Sequence, residues 1–87
     1  SEFSLSQNYP NPFNPTTKIS FSLKHSGLST LKVYDLLGRE IASLVNEYLT
    51  AGNYTIEWSG SNLSTGVYLY KLQSANSVQT KKMMLLK

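Results

Sequence analysis

The sequence has no cysteine and a single histidine, and charged residues make up only 15% of its 87 residues. Without thiols, a disulfide framework and a thiolate metal site are excluded. Any Ser-His-Asp arrangement would need His25 and Asp35, the only residues of their types, and both lie in predicted turns. Zinc spacings, calcium loops and phosphate-binding glycine motifs are also missing. We therefore predict that the protein is not an enzyme and uses no metal and no cofactor.

Long apolar runs are missing as well. No segment approaches the roughly 18–20 apolar residues that span a bilayer, so we expect no stable membrane insertion. The N-terminus does not show the charged and apolar regions of a signal peptide. We interpret the chain as a piece of a larger protein whose own export signal lies upstream. Its content of 40% hydrophobic residues, with six Tyr, three Phe and one Trp, is sufficient for one folded domain.

The net charge of +3 is unevenly distributed. Residues 1–57 carry four basic and five acidic side chains (−1), whereas residues 58–87 carry four lysines and no acid (+4). A basic end of this kind suits an acidic partner, and lysines also protect the exposed edge of a terminal strand. Because Arg39 is the only arginine and no Arg/aromatic cluster is present, we predict no nucleic acid partner.

Residues 1–17 form a lead segment of extended character. Pro10, Pro12 and Pro15 disfavour helix and withhold backbone donors, which excludes a central strand. Phe3 and Phe13 are too apolar for a bare linker, so we expect the segment to pack on the remaining domain, residues 18–87.

Residues 18–87 show alternating apolar runs separated by turn residues every 8–12 positions, which is typical of antiparallel sandwiches. We predict an all-β fold, an Ig-like antiparallel β-sandwich of about six to seven strands. Gly38 would supply the positive φ of a hairpin loop, and the uneven spacing in 41–45 indicates a bulge. Residues 46–49 are expected to form a loop, and 67–72, apolar on both faces, a central strand.

Aromatic residues raise the alternative of a carbohydrate-binding accessory module of a secreted enzyme. Trp58 alternates with other apolar residues, and Tyr68 and Tyr70 lie in the most apolar run, so we expect core packing for all three. Tyr48 is the most plausible exposed platform.

Six motifs, in order, resemble the C-terminal sorting domain of type IX secretion cargo proteins. The first is Asn-Tyr-Pro-Asn-Pro-Phe-Asn-Pro-Thr-Thr at residues 8–17, followed by Ile-Ser-Phe-Ser-Leu at 19–23. Val-Tyr-Asp at 33–35 with Gly-Arg at 38–39, and Ala-Gly-Asn-Tyr at 51–54 with Trp58, come next. Ser-Thr-Gly-Val-Tyr at 64–68 and Lys-Lys-Met-Met-Leu-Leu-Lys at 81–87 complete the series. The sequence departs from the family pattern only in loops, at 25–27 and 59–60.

The resemblance implies a secreted or cell-surface location, reached through the periplasm and outer membrane of a Gram-negative bacterium. It implies three partners: the outer-membrane secretion machinery, a sortase-like peptidase that cuts near or upstream of Ser1, and a covalently linked upstream cargo domain. Carried over to this chain, the sorting signal comprises Gly66, Tyr68, Lys82, Met83, Leu85 and Lys87. The residues assigned to maintaining the fold are Asn11, Pro12, Gly38 and Trp58.

Two further expectations accompany the resemblance. The last strand is expected to have an unpaired edge that a receptor reads by strand addition, with Lys81, Lys82 and Lys87 adding charge selectivity. The Ig-like domain of the flagellar hook-capping protein shares several of the motifs, so a structural assembly module is a second alternative.

Overall fold

The computed structural model describes residues 2–87; Ser1, near which the resemblance places the cleavage point, lies outside the described residues. This part of the chain consists of β-strands and connections, without a helix that could cross a membrane. The strands are β1 (Ser4–Leu5), β2 (Thr16–Leu23), β3 (Gly27–Tyr34), β4 (Glu40–Leu49), β5 (Gly52–Ser59), β6 (Gly66–Ser74) and β7 (Ser77–Leu85).

The strands form two antiparallel sheets, one with the order β1-β2-β5 and one with the order β4-β3-β6-β7. Three strands facing four is the Ig-like arrangement, so the predicted all-β sandwich is confirmed. The run 67–72 lies in β6 between β3 and β7, which confirms that it is a central strand.

The core lies between the sheets and follows the two-residue period of each strand. In β2, for example, Ile19, Phe21 and Leu23 point inward while Lys18 and Ser20 point outward. The buried apolar residues are Leu5, Phe13, Ile19, Phe21, Leu23, Leu31, Val33, Val45, Tyr68, Tyr70, Leu72, Met83 and Leu85.

The expected loop at residues 46–49 is wrong, because β4 continues to Leu49. Strand β3 already begins at Gly27, and its backbone pairs with β4 as far as Gly27 and Leu49. The polar Asn46 and Glu47 are tolerated there because they lie exposed on an edge strand. Two register shifts between β3 and β4 confirm the predicted bulge.

The loop between β3 and β4 is held by Asp35. Its Oδ1 accepts hydrogen bonds from the backbone N–H groups of Leu37 (2.9 Å) and Arg39 (3.0 Å), and its Oδ2 accepts one from Arg39 Nε at 2.7 Å. The bond from the Arg39 backbone is the main reason that the pKa of Asp35 is lowered. Gly38 adopts a φ of +86°, in the region that favours glycine. The loop displays Leu36 and Leu37 to solvent.

The lead segment is attached to the sandwich by the Tyr70 hydroxyl. This hydroxyl accepts a hydrogen bond from the Asn8 N–H at 2.8 Å and donates one to the Ser6 carbonyl at 2.7 Å. The buried Asn8 side chain in turn donates to Thr17 Oγ1 (3.0 Å) and to the Pro10 carbonyl (3.1 Å). The hydroxyl of a fully buried core tyrosine therefore holds the backbone of residues 6–8 of the lead segment against the core.

We predict that Tyr70→Phe lowers the free energy of unfolding by about 1–3 kcal/mol, because it leaves the Asn8 N–H and the Ser6 carbonyl unpaired. Urea denaturation followed by tryptophan fluorescence measures this change. Tyr48→Phe, at a 67% exposed ring, is the matched control and should cost less than about 0.5 kcal/mol. Equal stability of the two variants would contradict the assigned role of the hydroxyl.

Burial also raises the pKa of the Tyr70 phenol. Above about pH 10 the unfolded chain loses this proton while the folded chain keeps it, so unfolding is favoured. The phenol's contribution is fully present below about pH 10 and is lost as pH rises through the folded-state pKa. As pH rises above about 10, stability should thus fall more steeply in the wild type than in Tyr70→Phe, as measured by urea midpoints; parallel curves would exclude this effect.

Candidate functional site at the C-terminal strand

Strand β7 divides the predicted sorting signal between the core and the surface. Met83 and Leu85 are 1% and 0% exposed, whereas Lys82 and Met84 are exposed to solvent. Successive side chains of a strand point to opposite faces, so this division follows from the pleat. A partner that contacts the outer face of β7 in the folded domain therefore meets the side chains of Lys82 and Met84, while those of Met83 and Leu85 point into the core.

The signal residues of β6 support β7 from the neighbouring strand. Gly66 pairs with Leu85, and Tyr68 pairs with Met83. Tyr68 is buried, and its hydroxyl donates a hydrogen bond to the Ser64 carbonyl at 2.6 Å. Gly66 and Tyr68 are therefore part of the β6–β7 pairing, and the buried tyrosine ring is not accessible to a partner that binds the folded domain.

Lys87 is held against the loop between β5 and β6. Its backbone N–H donates to Thr65 Oγ1 at 3.0 Å, and its ammonium group donates to the Ser61 carbonyl at 2.5 Å. The structure thus collects the predicted signal residues in one half of the β6–β7 pair and just beyond it: Gly66, Tyr68, Lys82, Met83, Leu85 and Lys87.

The four residues assigned to fold maintenance occupy separate positions. Trp58 is half-buried, with its ring centroid 6.0 Å from that of Phe13. Pro12 is exposed, Gly38 lies in the β3–β4 loop, and Asn11 contacts β7 through its side chain.

The lead segment runs along the outer edge of β7. Gln7 Nε2 donates to the Lys82 carbonyl at 2.7 Å, and Met84 N–H donates to Asn11 Oδ1 at 3.0 Å. Phe13 N–H donates to the Met84 carbonyl, and Leu86 N–H donates to the Phe13 carbonyl, both at 2.9 Å. Phe13 thereby forms a parallel bridge beside Leu85.

The expectation of an unpaired edge in the last strand is therefore wrong for its C-terminal half. The Lys82 carbonyl, the N–H and carbonyl of Met84 and the Leu86 N–H all point away from β6 and already have partners in the lead segment. Strand addition at these positions would have to break those bonds first. What remains accessible here is the outer face of the strand.

The sequence pattern did not indicate which residues pack around Phe13. Phe13 is 1% exposed and fills the space beside Trp58 and Leu85. At Gly60 an added Cβ would lie 3.2 Å from Leu85 Cδ2 and 3.4 Å from Phe13 Cε2, so glycine permits a close approach of the loop. The Gly60 N–H also donates to the Pro15 carbonyl at 2.8 Å. A glycine among Ser and Asn residues gave no indication of this packing role.

The outer face of β6 and β7 is basic and partly apolar. Lys71 lies over the Tyr34 ring, with Nζ 5.4 Å from the centroid, and Lys82 is exposed. The salt bridges within residues 2–87 join Lys32 to Glu40 and Arg39 to Asp35, so Lys71 and Lys82 have no acidic partner. We call this surface the basic face, formed by Val67, Leu69, Lys71, Thr80, Lys82 and Met84.

The groups that could support catalysis are far apart. His25 precedes β3 and Asp35 follows it, so a strand of eight residues, about 25 Å long, separates them. Residues 2–87 also contain no cluster of three or more His, Asp or Glu side chains that could hold a metal ion. Of the aromatic residues considered for sugar binding, Tyr68 and Tyr70 are buried, while Tyr48 is exposed.

This geometry defines a small β-sandwich domain whose own N-terminal segment closes the edge of its last strand. The model of the secretion system C-terminal sorting domain family matches residues 7–86. The chain belongs to this family, which confirms the resemblance found in the sequence motifs. No curated protein sequence matches the chain.

A solved structure with the same fold is PorZ, a surface component of the type IX secretion system of Porphyromonas gingivalis. The two are 16% identical with a TM-score of 0.61, and the match covers 98% of this chain. At this identity the similarity shows the fold alone. The chain spans 11% of the length of PorZ.

We predict that Phe13→Ala lowers the free energy of unfolding by about 3–5 kcal/mol, because it empties a buried site between Trp58 and Leu85. Tyr9→Ala removes an 80% exposed ring from the same segment and should cost less than about 1 kcal/mol. Guanidinium denaturation of both variants checks this. If the two costs were alike, the lead segment would not be part of the folded core.

Proposed function

We propose that this domain is the C-terminal sorting signal of a larger secreted protein and directs its attached cargo through the outer membrane by type IX secretion. The observation that carries the proposal is the family match over residues 7–86, nearly the whole chain. In this proposal the cargo passes through the periplasm to the cell surface or the medium. The domain acts by being recognised, and it performs no chemistry of its own.

The proposed recognition residues are those that the fold leaves accessible. Lys82 lies on the basic face, and Lys87 lies at the end of β7 beside the β5–β6 loop. Gly66, Tyr68, Met83 and Leu85 would serve the signal indirectly, because their packing keeps β7 in register with β6. Loss of the first group should affect export alone, and loss of the second should affect folding and export together.

We also propose that residues 1–17 and 18–87 act as a single domain. Leu5, Asn8 and Phe13 are buried, and the segment bonds to both β6 and β7. A sortase-like peptidase that releases the cargo would have to cut upstream of these residues, near or before Ser1, if the domain is to stay folded. Support for this position comes from the burial of the segment.

The experiment that tests the function uses a reporter protein with an inner-membrane export signal at its N-terminus and residues 1–87 at its C-terminus, expressed in a bacterium with a type IX system. The fusion should appear outside the cell, and the reporter alone should stay inside. Deleting the system's outer-membrane translocation pore should return the fusion to the periplasm. Export that persists without the pore would refute the proposal.

For the residue assignments we predict that Lys82→Ala with Lys87→Ala reduces export at least about tenfold while the unfolding midpoint changes little, since both side chains are exposed. Met83→Ala should lower both export and stability, because Met83 is 1% exposed. Lys18→Ala with Lys24→Ala removes the same charge from exposed positions elsewhere and is the control. Unchanged export of the Lys82/Lys87 variant would rule out these lysines as recognition residues.

A further inference from the structure

Lys71 and Lys82 of the basic face make no salt bridge within the described part of the chain. Residues 58–87 contain four lysines and no acid. Lys71 and Lys82 lie on adjacent strands in diagonal positions, because Lys71 pairs with Thr80 and Lys82 pairs with Leu69. Diagonal neighbours on a sheet have backbone positions about 7–8 Å apart, so both side chains belong to one surface, with the Lys71 ammonium on the β3 side over Tyr34.

Apolar side chains lie between and beside these lysines. Val67 pairs with Met84, and Leu69 lies beside Lys82. Met84 is 40% exposed, and Val67 and Leu69 are half-buried. A shallow groove at this end of the face is lined by Asn11, Val67, Lys82, Met83 and Met84. One wall of the groove therefore comes from the lead segment, at the point where Asn11 accepts the Met84 N–H.

A partner cannot add a strand to the C-terminal half of the β7 edge without displacing the lead segment. The lead segment occupies the outward backbone groups from Lys82 to Leu86, so a partner that reaches β7 there meets side chains. Side-chain recognition on a flat face depends on complementary charge and on apolar contact. A partner that matches two lysines without acidic partners and the apolar residues beside them is a protein segment that carries both acidic and apolar side chains.

We propose that the basic face is the docking surface for an acidic, partly apolar protein segment, which lies across β6 and β7 with an apolar side chain in the groove beside Asn11. The inference rests on the proposed sorting function and names the chemistry of the partner. Carboxylates of the segment pair with Lys71 and Lys82. The partner is a protein segment and not a lipid surface.

The shape of the surface favours protein over lipid. A bilayer binds protruding apolar side chains. The most exposed leucines among the described residues are Leu37 at 79% and Leu28 and Leu36 at 64% each, and they lie in the β3–β4 loop or at the start of β3, outside the basic face. The apolar atoms of Val67 and Leu69 are half-buried in a flat sheet surface that suits an extended segment.

The test compares Lys82→Glu with Lys24→Glu in the reporter fusion to residues 1–87. Both lysines are exposed, and each change lowers the net charge by two, from +3 to +1. Lys82→Glu should reduce export at least about tenfold and Lys82→Gln by a smaller factor, because a carboxylate repels an acidic partner while an amide only fails to attract it. Export of Lys24→Glu should stay within about twofold of wild type.

Stability separates recognition from a structural role. Lys82 is exposed and makes no salt bridge within residues 2–87, so Lys82→Glu breaks no charge pair of the fold, and the unfolding midpoint of the purified domain should stay equal or rise while export falls. A fall in both would assign Lys82 to the fold and overturn the inference. Equal export of Lys82→Glu and Lys24→Glu would also overturn it, provided that the wild-type fusion is exported. If the wild-type fusion itself stays inside the cell, the sorting function fails and the inference fails with it.

A second measurement separates the two sources of negative charge. The purified domain is mixed with vesicles of phosphatidylcholine containing about one third phosphatidylglycerol and tested by co-sedimentation. We expect wild type and Lys82→Glu to remain in the supernatant alike. If the wild type binds the vesicles and Lys82→Glu abolishes this binding, the partner of the basic face is a lipid surface and not a protein segment.

Discussion

The two ends of the chain are joined by the lead segment where it lies along β7. Phe13 N–H and C=O pair with Met84 and Leu86, and the Phe13 ring is buried beside Trp58. The Tyr70 hydroxyl attaches the same segment to β6 a few residues earlier. Residues about 70 positions apart in sequence are therefore bonded to one another, and the segment before β2 adds a second set of backbone bonds to the end of β7, which also pairs with β6.

This closure determines how β7 can be used. A terminal strand with an unpaired edge is open to strand addition and to aggregation. Here the edge from Lys82 to Leu86 is occupied, while the outer face remains accessible. The prolines of the lead segment suit this position, because an edge that bonds only part of its backbone tolerates residues without N–H donors. Protection of the edge leaves recognition to side chains, which can distinguish partners by charge.

Much of the fold could be predicted from local patterns. The alternation in 19–23 indicated a strand with one solvent-exposed face, and the doubly apolar run 67–72 indicated a central strand. Uneven spacing in 41–45 indicated the bulge that the β3–β4 register shifts confirm. The extension of β4 through the polar residues 46–49 could not be seen, because it depends on backbone pairing with β3. Likewise, Gly60 gave no local indication of its contact with Phe13 and Leu85, since that contact joins distant segments.

For the candidate site, the sequence by itself determined the composition: lysines without acids after residue 57, an apolar end to the last strand, and the motifs that show the family. Strand period alone already places neighbouring side chains on opposite faces. Only the tertiary structure decided which of those faces is buried, which edge is occupied, and that Lys71 and Lys82 lie on one surface without a counter-charge. The reason is physical: side-chain alternation is a local property of the backbone, whereas burial and edge pairing depend on which distant segment lies alongside.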